Sequence, residues 1–147
     1  MADASVPPPP SPQAVRRARL FWEQAAQDHG AARDKQRGHA PLEAAYLSFQ
    51  AALNALTAVC YLNGRFQLPN FSTARMAALC AEVDGRFEAI LAACEALEAV
   101  QERSPFDAAP DAAALDALGK ASVGHGTQVL EAVRGYLKEH RKRFFAP

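Results

Sequence analysis

The stretch Ser72–Glu102, STARMAALCAEVDGRFEAILAACEALEAVQE, decides the fold. Met76, Cys80, Val83, Phe87, Ile90, Cys94 and Leu97 recur at alternating steps of four and three. That spacing lays all seven along one side of an α-helix, because side chains three and four apart stack on the same face. Leu79, Leu91 and Val100 widen the stripe. A helix over about 73–102 is predicted, with Ser72 as its N-cap. It stops at Arg103-Ser-Pro-Phe-Asp107, since Pro105 disfavours helical geometry at the residue before it.

Working outward from that helix, the same period returns on both sides. Leu42, Tyr46, Phe49, Leu53, Leu56 and Cys60 form a second stripe, between Pro41 and a left-handed stop at Asn63-Gly64. A first helix is expected over 13–33, with Val15, Trp22, Ala25, His29 and Ala32 near one face. A last helix is expected over 111–143, with Leu115, Leu118, Ser122, His125, Val129, Val133, Tyr136 and Leu137 on its apolar side. Gly119, Gly124 and Gly126 lie inside it, and each costs roughly 1 kcal/mol relative to Ala in a helix interior. A kink near 124–126 follows, or else close packing of a neighbour against bare backbone. No stretch alternates with period two for long enough to be a strand. The fold expected is all-α, an antiparallel four-helix up-and-down bundle over residues 13–147.

Residues 1–12 hold Val6-Pro7-Pro8-Pro9-Pro10-Ser11-Pro12. Consecutive prolines supply no N–H, so a disordered Pro-rich tail is expected there. The whole chain has 147 residues, 50% of them hydrophobic and 22% charged, which is ordinary for one globular domain. Sixteen basic and 16 acidic residues cancel, which argues against a general polyanion binder. No membrane span is expected, because no run of about 18 apolar residues lacks charge. The three cysteines make no Cys-x-x-Cys and no signal peptide opens the chain, so a reduced, cytoplasmic protein is expected. Arg outnumbers Lys 12 to 4 in an Ala-rich chain, a compositional habit of GC-rich bacterial genomes.

Chemistry has few footholds. Cys60, Cys80 and Cys94 fall on apolar stripes and read as core residues. Neither Glu-x-x-His nor His-x-x-x-His occurs, so His29 and His125 are left as the pair to test for a metal. No phosphate-cradling glycine loop and no Gly-x-Ser-x-Gly is present, and no cofactor is expected. Residues 80–119 carry nine acidic side chains against Arg86 and Arg103 and read as a solvated face. Lys138, Arg141, Lys142 and Arg143 form a basic end that complements a helix C-terminus.

Three stretches resemble a HEPN domain, the small all-helical prokaryotic fold, in its compact stand-alone branch. EAAYLSFQAALNALTAVCYLNG (43–64) resembles its second helix, ERSPFD (102–107) its polar-aromatic hinge, and ALDALGKASVGHGTQVLEAVRGYL (114–137) its closing helix. With helix one, the resemblance covers about residues 13–140. It implies a homodimer, to which Leu62, Phe66 and Leu68 would add apolar surface. It also implies a binding or regulatory module for a nucleotide, an RNA or a partner nucleotidyltransferase of the toxin–antitoxin type. Ligand-binding residues would be Arg103, Asp107, Lys120 and His125. Many HEPN proteins are ribonucleases, using an Arg and a His four to six residues apart across the dimer. This chain departs from that pattern. No His follows Arg103 closely, and His125 is preceded at the right gap by Lys120, which lacks the bidentate guanidinium fork. Arg134 and His140 match by spacing, yet six residues turn a helix by about 600° and aim them apart. Catalysis is therefore not expected.

Overall fold

The computed structural model describes residues 9–65, 72–102 and 111–140. Among them are five α-helices and one 3-10 segment, with no strand. The helices are α1 (Pro12–Arg37), α2 (Pro41–Leu62), α3 (Thr73–Val83), α4 (Leu91–Glu102) and α5 (Ala112–Glu139). The 3-10 segment, Gly85–Ile90, joins α3 to α4. The expected tail at 1–8 and the hinge at 103–110 lie outside the described residues. The helix does begin one residue inside the stretch read as tail. Ser11 Oγ accepts from Ala14 N–H at 3.1 Å and Pro12 takes the first helical position, where no N–H is needed.

The helix predicted over 73–102 is not one helix. It stops at Val83, and Asp84 turns extended (φ −151°, ψ 127°). The Asp84 carboxylate accepts the Arg86 N–H at 2.9 Å and so caps the 3-10 segment. The heptad stripe survives the break, with Met76, Cys80, Phe87, Ile90, Cys94 and Leu97 all buried. No break interrupts the helix near 124–126, and α5 runs on for 28 residues. The alternative given for its glycines is what the fold uses. A Cβ at Gly126 would sit 3.3 Å from Ser48 Cβ, and one at Gly119 would sit 2.8 Å from Pro41 Cβ. Both glycines let α5 approach α2 closely. Gly124 meets nothing within 4 Å.

This approach makes α2 the centre of the molecule. Pro41, Ser48 and Asn63 lie beside Gly119, Gly126 and Tyr136, so α2 and α5 run in the same direction. Helix α1 runs against both. Its three buried residues are Ala18, Ala25 and Ala32, seven apart. On one side of that column Phe21 stacks on Tyr61 of α2 and Asp28 accepts from Asn54. On the other side, also seven apart, Trp22, His29 and Gln36 meet Arg134, Thr127 and Asp116 of α5. Enclosed this way, α2 buries 13 of its 22 residues, six of them alanine. It carries one charge, Glu43, and is long and apolar enough by composition to cross a membrane. The sequence expectation of no such run is thus corrected, but the helix is the core of this fold. Leu62, read as dimer surface, is 1% exposed and belongs to that core. Phe66 and Leu68 lie outside the described residues.

Candidate functional site

The polar residues drawn together most tightly sit where the α3–α4 junction meets the C-terminal turn of α5. Just past the Asp84–Gly85 break, Arg86 lies against α5. The Arg86 guanidinium donates to Asp84 Oδ1 at 3.1 Å, pairs with Glu139, and lies 5.8 Å over the Tyr136 ring. Gly135 leaves it room, since a Cβ there would stand 3.3 Å from Arg86 Nη1. Tyr136 is 1% exposed, and its hydroxyl accepts from Asn63 Nδ2 at 2.9 Å. The His140 ring packs on Tyr136 at 4.5 Å, and its backbone N–H bonds the Tyr136 carbonyl at 3.0 Å.

Burial works to raise the Asp84 carboxyl. Hydrogen bonds from the Arg86 backbone and guanidinium, with its charge, outweigh burial and hold Asp84 below the usual carboxylate range. Two carboxylates neutralise one guanidinium here. The cluster therefore ties elements together, and Arg86 presents no spare charge to an anion.

Of the described residues singled out from the sequence, His140 joins this cluster and the others do not. Arg103 and Asp107 lie outside the described residues. Lys120 is exposed and pairs with Asp116 one turn back, at 3.1 Å. His125 is half-buried on another side of α5, because five residues rotate a helix by about 140° net. Arg134 lies over Trp22 of α1, while His140 packs on Tyr136, so this pair faces different neighbours.

His29 meets Thr127 and not His125. The Thr127 hydroxyl donates to the Val123 carbonyl at 2.9 Å, leaving its lone pairs to accept from His29 Nε2 at 3.2 Å. The proton then sits on Nε2, and the buried Nδ1 has no partner. Burial, then the nearby Arg33 and Arg134 charges, lower the His29 pKa against a smaller pull from Glu131. Among the described residues no group of three His, Cys, Asp or Glu side chains is placed to hold a metal ion.

Sequence reasoning missed Asp84, Arg86 and Asn63 as a cluster. The signal was present as Asp84-Gly85, a capping pair inside a stripe whose period passes through it unbroken. The outer surface of the α1–α2 hairpin was missed too. Leu42 and Tyr46, read as core, are 58% and 51% exposed, and Leu20 of α1 is 66% exposed. Further along, Arg17, Leu20, Phe21, Gln24, Asn54 and Tyr61 line an open apolar groove of about 420 Å³. No protein-family model, curated protein or solved structure matches the chain.

Proposed function

We propose that the chain is a HEPN-like helical binding module that acts as a homodimer, and that it binds without cutting RNA. In this reading α1, α2, the joined 3-10 segment and α4, and α5 are the four helices of the bundle, and α3 is an addition to it. The observation that carries the proposal is the apolar outer face of α2. Leu42 and Tyr46 continue the buried stripe of Phe49, Leu53, Leu56 and Cys60 out into solvent. A second copy of the same face is the partner that needs no further complementarity, and two-fold pairing is the commonest assembly of soluble chains. The family resemblance supplies the ligand classes: a nucleotide, an RNA or a nucleotidyltransferase. A reducing, cytoplasmic setting suits three buried free thiols.

Light scattering at tens of micromolar tests the assembly. The parent should weigh twice the 15.8 kDa of the chain. Leu42→Asp combined with Tyr46→Asp should give a monomer with unchanged far-ultraviolet circular dichroism. A monomeric parent sinks the reading.

A further inference from the structure

The three buried cysteines are not equivalent. Cys60 Sγ on α2 lies 3.7 Å from Cys80 Sγ on α3, in van der Waals contact. Their residues are 1% and 0% exposed. Cys94, on α4, lies near enough to act on Cys80 but without the sulfur contact that Cys60 makes, and burial, then Glu98 and Glu95, push its thiol up to about 12. We propose that Cys60 and Cys80 are a disulfide site, which a small hydroperoxide oxidises to an intrachain bond stapling α3 to the central helix. The sulfurs, each on a packed helix, have to close from 3.7 Å to a bonding distance of about 2 Å.

The chemistry balances as a two-electron oxidation. Cys60 Sγ attacks the peroxide, breaking the O–O bond, releasing an alcohol or water and leaving a sulfenic acid. Cys80 Sγ then displaces the sulfenic oxygen, loses its proton, and water departs. The two thiols give up two electrons and two protons, and the peroxide is reduced. Contact with Cys60 and burial push the Cys80 thiol well above its ordinary range, and the same disulfide results whichever sulfur attacks the peroxide first. The Cys80 thiol also points at the Leu56 carbonyl, 3.6 Å away. A buried thiol meets peroxide slowly, so the sulfenic acid forms when α3 opens locally, and the disulfide forms when α3 repacks on α2 and then holds it closed.

The full chain, treated with hydrogen peroxide, acid-quenched, denatured and alkylated, is read by intact mass and peptide mapping. Expected are the loss of two hydrogens, one linked pair of peptides holding Cys60 and Cys80, and an alkylated Cys94. The melting temperature should rise by roughly 5–10 °C, because the bond closes a loop of about 20 residues, and return on adding dithiothreitol. Cys94→Ser should leave the bond forming at the same rate. A link through Cys94, a link between chains, sulfinic acid without a disulfide, or an unchanged mass after prolonged exposure would each overturn the assignment.

Discussion

Single glycines in α5 do opposite things, and their neighbours decide which. A Cβ at Gly119 would lie 2.8 and 2.9 Å from Pro41 Cβ and Cα, and a proline backbone cannot swing aside. Gly119→Ala should therefore lower stability by about 1–3 kcal/mol, the usual cost of overpacking. Gly124 meets nothing within 4 Å. Gly124→Ala should raise stability by about 0.5–1 kcal/mol, through helix propensity and a less flexible unfolded chain. Urea melts of both variants check the contrast, and equal effects would mean that α5 does not touch Pro41. Phe87 is fully buried against Tyr136, with ring centroids 5.6 Å apart. Phe87→Ala should cost about 3–5 kcal/mol in the same melts.

Helices in this chain are held to one another by polar devices at their junctions. Asp84 ends α3, caps the 3-10 segment and pairs with Arg86. Asp84→Ala removes the cap and the ion pair, the two side-chain roles, and should cost about 1–2 kcal/mol. Asp84→Asn keeps a capping oxygen and should cost less. Because the Asp84 pKa is lowered on folding, its stabilisation is present above the ordinary carboxylate range and lost as pH falls through the lower folded value. The seam between α1 and α5 responds in a different window. His29 has its pKa lowered on folding, so the unfolded chain binds its proton first. Its contribution is intact above about pH 6.5 and declines as pH falls below that. Protonation would put a charged, partnerless Nδ1–H near Arg33 and Arg134, with Glu131 alone opposing them. His29→Gln should flatten the fall in melting temperature between pH 7 and 5. A parallel fall in parent and variant would assign that loss to other groups.

At the scale of the whole molecule, the chemistry is separated and the apolar surface is gathered. Arg134 lies over Trp22 of α1 and His140 packs on Tyr136, so within one protomer the two are not aimed at one phosphate. Positioning and charge stabilisation supply most of the rate in such reactions. Purified chain incubated with mixed single-stranded RNA should give no efficient cleavage. Arg103→Ala and His140→Ala variants run beside it. Cleavage by the parent that either variant abolishes would promote a ribonuclease instead. Weak RNA retention that fades with added salt would fit the binding reading, since exposed arginines act on phosphate through screened charge.

The sequence by itself determined that the described chain is helical, where α2 and α4 stop, and that three cysteines lie inside. Those properties follow from period, capping residues and turn residues, which act within a few positions of chain. Gly64 takes φ +64° where Asn63-Gly64 called for a left-handed stop. Asp84-Gly85 was the local signal that went unread, because the apolar period continues across it. The tertiary structure alone decided which side of α2 is outside. Leu42 and Tyr46 share a stripe with Leu56, and periodicity is blind to whether a neighbour arrives to cover each turn. It also decided which glycines matter, since bare backbone gains meaning only from the helix laid against it. The partners of His29 and Arg134, and Glu139 and Tyr136 beside Arg86, had no sequence signature for the same reason. Each is met by a residue tens of positions away, and only packing sets that distance.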